Sequence, residues 1–304
     1  MSSISVVIPV FNREKVIERT LNSLSAQKYR PINVIVVDNN CTDRSIMHVI
    51  NWKAKKEAYS FSIQVVDERK LGPSSARNAG LRHVTTDWVM FFDSDDVMRP
   101  NHIERAMEIA EKDSEIDLIG WPIEINTTDG SKRIKGLKKG CDPQFDNVFQ
   151  GAFSTLAFMA KTSLVRKAGG WDEELKIAED LELGARLMTY ANKLHIMGGE
   201  PTVRVFAQKD SLTTRYHKSL PMLAQSFFRI KECMPPEKRH WCDLQLIILG
   251  SHFSPNDSDT KEIIHGILSE TQGAYRRLVF RFLKIYTRLG LRGAARIYRL
   301  LGMP

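Results

Sequence analysis

Asp93, Ser94, Asp95 and Asp96 follow directly on the apolar run Trp88-Val89-Met90-Phe91-Phe92, and this junction is where the chain can do chemistry. A run of that hydrophobicity reads as a buried strand. Carboxylates crowded at its mouth repel one another and resist desolvation unless a cation or solvent compensates them. The simplest compensation is a divalent metal. Mg²⁺ takes oxygen ligands, keeps several waters and is usually held by one or two carboxylates together with the phosphates of a substrate. A phosphate-bearing donor is therefore expected beside the cluster, against the plainer alternative of a solvated acidic turn.

The elements that would position this cluster are legible upstream. Ser3 to Val10 reads as a buried strand, with Asn12 as N-cap of a helix from Arg13 to Gln27 whose Val16, Ile17, Leu21 and Leu24 share one face. Pro31 restarts the chain as a β-branched strand, Ile32 to Val37, ending at Asp38 and the turn Asn39-Asn40-Cys41-Thr42-Asp43 before a helix over Ser45 to Ala58. A third strand, Phe61 to Val66, leads through Gly72-Pro73 to a helix over Ser74 to Val84, and Trp88 to Phe92 is the fourth. Strands and helices alternating at this spacing imply an α/β fold with a largely parallel sheet covered on both faces. In such sheets ligands bind beyond the carboxyl ends of the strands, where Asp38 and Asp93 to Asp96 both fall.

Further along, the pattern gives a helix to Lys112, a strand over Asp117 to Trp121, a hairpin through Asp129-Gly130, a long loop over Leu137 to Gln150 and a strand over Phe153 to Met159. A short helix ends at Ala168-Gly169-Gly170, and Glu179 to Ala191 is helical. From Ser219 onward the pattern is helical throughout, punctuated at Pro235-Pro236 and Ser254-Pro255.

Composition bounds the rest. The 304 residues suit one large α/β domain with an appendage or two modest domains. Cys41, Cys141, Cys233 and Cys242 fit neither a disulfide framework nor a metal cage and read as reduced thiols of a cytoplasmic protein. No signal peptide or bilayer-spanning run is expected. The net charge of +8 is localised: residues 271–304 hold eight of the 44 basic residues and no acidic one, leaving 36 of each sign elsewhere. The body thus has no global reason to seek nucleic acid.

The ordered stretches VVIPVFNREKVIERTLNSLSAQ, VIVVDNNCTDRS, GPSSARNAGL, DWVMFFDSDDV and GGWDEELKIAEDLELGARL resemble those of the family 2 glycosyltransferases, inverting enzymes of the GT-A fold. They cover roughly the first two thirds of the chain, and ordered motifs weigh more than any single one. The resemblance implies a Rossmann-like GT-A domain over 1–217, followed by a helical region over 218–304 with its basic amphipathic tail. It implies that Asp38 accepts from the nucleotide base, that Pro9, Phe11 and Asn12 lie under the nucleoside, and that Arg77 and Asn78 face the donor. Asp93-Ser94-Asp95 becomes the DxD motif, with Asp95 the direct Mg²⁺ or Mn²⁺ ligand and Asp93 and Ser94 nearer the ribose or a metal water. Glu179-Asp180 becomes the ED pair, in which Asp180 is the catalytic base and Glu179 and Trp171 stand on the acceptor side. The implied reaction moves a sugar from a nucleoside diphosphate donor, UDP-linked in most relatives, to a glycan or lipid-linked saccharide acceptor of cell-surface polysaccharide.

One departure stands out. Many members carry a YRxH-like segment after the ED helix, whereas Val203 to Gln208 reads VRVFAQ here, leaving His217, in Thr214-Arg215-Tyr216-His217-Lys218, as a substitute metal or phosphate contact. Simpler readings stand beside these. Asp38 could only cap its turn, and Glu179-Asp180 could only complement a helix N-terminus. A non-catalytic nucleotide-sugar binder or membrane scaffold of the same fold is the alternative to an enzyme. A nucleotidyltransferase would call for a glycine-rich, lysine-bearing phosphate loop that the first strand lacks. In the tail, Leu278, Phe282, Ile285 and Leu289 share one helical side, beside a stripe of Arg277, Arg281, Lys284 and Arg288. Such a helix either lies on the inner face of an anionic membrane or packs on the domain with its charges in water.

Overall fold

A computed structural model describes residues 3–301 except 57–59, 138–139, 208–218 and 254. Its first half alternates β1 (Ile4–Val10), α1 (Ile17–Ser25), β2 (Ile32–Asp38), α2 (Ser45–Lys56), β3 (Phe61–Asp67), α3 (Pro73–Arg82) and β4 (Trp88–Phe91). Beyond the acidic loop come β5 (Val97–Met98), α4 (His102–Lys112), β6 (Leu118–Gly120) and the hairpin β7 (Ile123–Asn126) with β8 (Lys132–Lys135). Then follow α5 (Pro143–Gln150), β9 (Phe158–Lys161), α6 (Thr162–Lys167), α7 (Glu179–Tyr190), β10 (Leu194–Ile196) and β11 (Val203–Phe206). Among the described residues five α-helices then close the chain: α8 (Leu220–Cys233), α9 (His240–Phe253), α10 (Ser258–Glu270), α11 (Ala274–Arg288) and α12 (Ala294–Leu300).

Seven strands form the main sheet in the order β10-β6-β9-β4-β1-β2-β3. All neighbours run parallel except β9, which is antiparallel to both β4 and β6. Because successive side chains of a strand point to opposite faces, β1 serves two cores. Ile4, Val6, Ile8 and Val10 pack with Ile17, Leu21 and Leu24 of α1, while Val7 packs with Ala76 and Ala79 of α3. The second contact is close enough to demand glycine in α3, since a Cβ on Gly80 would come within 2.3 Å of Val7 Cγ1.

β5, β11, β7 and β8 make a second, four-stranded sheet; the hairpin expected through Asp129-Gly130 is its β7–β8 pair, whereas β5 and β11 are not announced by the sequence pattern. Three other expectations change. Asn12 is no N-cap: it takes a left-handed φ of 53°, and α1 starts four residues later, after Val16. Part of the long loop is helix α5, capped by Asp142, whose carboxylate accepts from Gln144 N and Phe145 N, and closed by left-handed Gly151. The strand expected over Phe153 to Met159 begins only at Phe158, after a 3₁₀ turn over Thr155–Ala157. The helical end has a core of its own, in which Phe227, Ile230, Leu244, Ile247, Phe280 and Tyr298 meet Val148 of α5 and Ala185 of α7.

Candidate active site

In a parallel sheet the strands deliver their carboxyl ends to one edge, and β1, β2 and β4 do so in register, with Val10 beside Asp38 and Val7 beside Phe91. Phe92 N donates to Val7 O at 2.9 Å, so the acidic loop leaves the sheet at that edge. Two elements then hold the loop. From α1, Arg19 Nη2 donates to Asp95 O at 2.5 Å and Thr20 Oγ1 to Asp96 O at 2.8 Å. From β11, Phe206 N donates to Asp96 Oδ1 at 2.8 Å, and its ring lies 4.1 Å under the Arg19 guanidinium.

These anchors divide the acids. Asp96, only 2% exposed, turns inward as a structural group; burial, then the charges of Asp93 and Asp95, push its pKa up to about 9. Asp95 faces Arg13, whose Nε is 3.4 Å from its Oδ2. Burial and the neighbouring Asp93 carry its pKa above the ordinary range despite Arg13 and Arg19. A carboxylate set short of positive charge suits a dication. Among the described residues no three His, Cys, Asp or Glu side chains form a ready-made cage. Asp95 and Asp93 are the residues that would hold it. His217 lies outside the described residues.

Arg77 joins the acidic loop to the ED pair. Its Nη2 is 2.9 Å from Asp93 Oδ1 and its Nη1 3.2 Å from Glu179 Oε1. Burial alone would lower its pKa, but Asp93 and Glu179 outweigh it and hold the guanidinium above its ordinary value. Burial and then Asp180 raise Glu179, with Arg77 opposing. Asp180 is therefore close enough for its charge to act on both; its Oδ1 accepts from Leu181 N at 2.9 Å. Ala178, before the pair, holds a left-handed φ of 57°, a conformation rare for a residue with a Cβ. That strained joint aims the first turn of α7 at the loop.

Trp171 and Asn78 support Arg77. The guanidinium lies 4.4 Å from the centroid of the Trp171 ring, which packs edge-on against Phe91. At 2% exposure, Trp171, expected on the acceptor side, forms a platform beneath Arg77. Asn78, expected toward the donor, spends its amide on the following loop. Nδ2 donates to Trp171 O at 2.9 Å and Glu173 Oε1 at 2.7 Å, and Oδ1 accepts from Trp171 N at 2.8 Å. Gly170 allows that approach, since a Cβ there would sit 2.7 Å from Asn78 Oδ1.

The residues expected on the nucleoside side lie at the same edge. Asp38 Oδ1 accepts from Cys41 N at 2.8 Å, the turn-capping bond. Asn12 Oδ1 accepts from Thr42 N at 2.8 Å and ties the β1 loop to the β2 loop. Pro9 is half-buried in β1, Phe11 is 50% exposed beyond it, and Ser94 is buried in the acidic loop. A cavity of about 450 Å³ adjoins Trp171, lined also by Asp172, Glu182, Arg186 and Arg229. It includes neither Asp93 nor Asp180, and within it Arg186 pairs with Glu182 and Arg229 with Asp172 and Glu174.

The model for "Glycosyl transferase family 2" matches residues 5–167, just over half of the chain. The chain belongs to that family. Among curated relatives, poly(ribitol-phosphate) β-N-acetylglucosaminyltransferase TarS of Staphylococcus aureus is 27% identical over 203 residues, 65% of this chain and 34% of TarS. The amylovoran biosynthesis glycosyltransferase AmsB of Erwinia amylovora is 31% identical over 110 residues, 36% of each chain. The match thus spans about a third of these relatives. Among solved structures, S. aureus TarS 1–349 in complex with UDP-GlcNAc superposes with a TM-score of 0.65 at 18% identity, covering 98% of this chain and 92% of that one. The mannosyltransferase PcManGT from Pyrobaculum calidifontis, in complex with GDP-Man and Mn²⁺, gives 0.58 at 16% identity, covering 99% and 88%. At such identities the likeness establishes the fold, and the family 2 chain has the GT-A architecture with a helical C-terminal region.

Proposed function

We propose that this chain is a metal-dependent inverting glycosyltransferase. Its donor is a sugar linked to a nucleoside diphosphate, UDP in the first instance, and its acceptor a hydroxyl of a glycan or lipid-linked saccharide in surface polysaccharide synthesis. The observation that carries this reading is the Arg77 bridge, which puts the ED pair beside the acidic loop at the carboxyl edge of the sheet. Membership of family 2 and the nucleotide-sugar complexes of TarS and PcManGT support it.

In this reading Asp38, Pro9, Phe11 and Asn12 receive the nucleoside, and the Asp93 to Asp95 edge faces the diphosphate. Asp95 and Asp93 would hold a dication, which would supply Lewis-acid stabilisation of the departing phosphate. Asp180 takes the proton of the acceptor hydroxyl as that oxygen bonds to the anomeric carbon and the carbon–phosphate oxygen bond breaks. One displacement from the face opposite the leaving group inverts the anomeric centre, by the same logic as in inverting glycosidases. Glu179 and Arg77 hold Asp180's helix against the loop.

The test is a donor panel assayed for transfer and hydrolysis with Mn²⁺ or Mg²⁺ in wild type, Asp95→Ala and Asp180→Ala. Loss of turnover in both variants, with donor binding kept in Asp180→Ala, is the expected result. Undiminished turnover in either variant overturns the roles given, and donor binding without turnover in wild type supports the non-catalytic alternative.

A further inference from the structure

Helix α11 has three faces. With about 100° between successive residues, Val279, Phe280, Leu283 and Thr287 point inward and are buried against the helical core, where α11 packs on α9. Leu278, Phe282, Ile285 and Leu289 fall within an arc of about 60° on another side, and they are 64%, 52%, 60% and 71% exposed. Arg281, Lys284 and Arg288 make the third face, between the other two. The inward row already satisfies the packing of the helix, so the outward apolar row serves nothing within the described fold. Past the helix end Leu291, Leu300 and Leu301 are also exposed, at 49%, 78% and 41%.

We propose that this outward row is a membrane-docking face for a bilayer rich in anionic lipid. A helix that buries one face in its own domain and presents a second apolar row edged by cations fits an interface where acyl chains lie beneath negative headgroups. Charge decides between this occupant and a second copy of the chain. A two-fold pairing would bring the same basic stripe against itself, and residues 271–304 hold no acidic residue to offset it. Anionic lipid meets both the cations and the apolar row. Among the described residues no helix is long and apolar enough to cross a bilayer, so the contact is one of lying on the surface. The surface is independent of the chemistry assigned to Asp180.

The test is co-sedimentation of the full chain with vesicles of phosphatidylcholine alone or mixed with phosphatidylglycerol, at low and high salt, alongside its mass in solution. Wild type is expected to bind the mixed vesicles at least tenfold more tightly than the neutral ones, and more weakly in high salt. Phe282→Gln/Ile285→Gln, at exposed positions that leave the buried row intact, is expected to lose at least tenfold in affinity for mixed vesicles while keeping its thermal midpoint. Arg281→Glu/Arg288→Glu should lose the preference for anionic lipid. No binding to mixed vesicles, equal binding by Phe282→Gln/Ile285→Gln, or a dimer without lipid affinity that the same variant dissolves would each overturn the proposal. Donor turnover in the same preparations separates this outcome from failure of the transferase reading.

Discussion

Asp93 and Glu179, 86 residues apart in sequence, accept from the two ends of one guanidinium, that of Arg77. The bridge is buried, with the Arg77 side chain 6% exposed, and it stacks on a tryptophan that Asn78 fixes from the neighbouring position. α3, the acidic loop and α7 are thereby joined through one residue.

Removing that residue leaves Glu179, 17% exposed, and Asp93, 33% exposed, without their shared cation. Arg77→Ala is therefore expected to destabilise the protein by about 3–5 kcal/mol, the range for breaking one partner of a buried ion pair. Arg77→Lys, which keeps the charge but loses the fork, should recover part of the stability and little of the turnover. Denaturant unfolding read beside donor turnover checks both, and an Arg77→Ala protein as stable as wild type would show that the bridge does not form.

Ala178 carries the strain that aims α7. A left-handed alanine costs roughly 1–2 kcal/mol that glycine escapes, whereas glycine loses more backbone freedom on folding. Ala178→Gly is expected to gain about 0.5–1 kcal/mol net. The price of that gain should be a looser Asp180, seen as a fall in kcat at nearly unchanged donor KM. Stability unchanged or lowered would mean that α7 starts in a relaxed conformation.

Much of this arrangement was legible in the residues, because local pattern and tertiary packing agree there. Apolar runs ending at Asp38 and at Asp93 placed the carboxyl edges of β2 and β4, and the spacing of Leu21 and Leu24 placed α1 on the sheet. Misreadings arose where one side chain had two local uses. Asn12 is as good a helix cap as it is a left-handed link, and only the partner loop at Thr42 decides between them. The contact of Trp171 with Arg77 spans 94 positions, a distance that no local pattern encodes. The acidic cluster gave no sign that Asp96 differs from its neighbours, because the Phe206 amide that turns it inward lies 110 residues away. For α5 the signals were in plain view: Asp142 before Pro143, and Gly151 at the end.

The crowding of Asp93, Asp95 and Asp96 predicts a ligand response. Few protein groups would hold the metal, so Mn²⁺ and UDP should each complete the other's site. Together they are expected to raise the thermal midpoint more than the sum of either alone. The scale is about 2.7 kcal/mol at a hundredfold excess over Kd. Asp95→Asn keeps the shape and removes the charge, and it should abolish the synergy while its unliganded midpoint stays level or rises. Equal synergy in that variant would move the metal off Asp95.

The last prediction concerns pH and a residue away from the acidic loop. His102, on α4, is fully buried, with Nδ1 2.7 Å from Thr202 Oγ1 and its ring edge-on to Trp121. Nε2 is buried without a hydrogen-bond partner among the described residues, so a proton there would be a bare charge in the core. Burial, reinforced by Arg105, lowers its pKa to about 3, whereas the unfolded chain takes up the proton near the ordinary 6.5. Between those values the unfolded state binds more protons. Stability from this group is complete above pH 6.5 and is lost progressively as pH falls toward 3. Between pH 7.5 and 5.5 the loss is about 1 kcal/mol. Urea unfolding of wild type and His102→Gln at the two pH values isolates it: the variant is less stable throughout, because it repacks against Trp121, but lacks this share of the slope. An identical slope in both would mean that His102 is protonated in the folded protein or that its site opens to water.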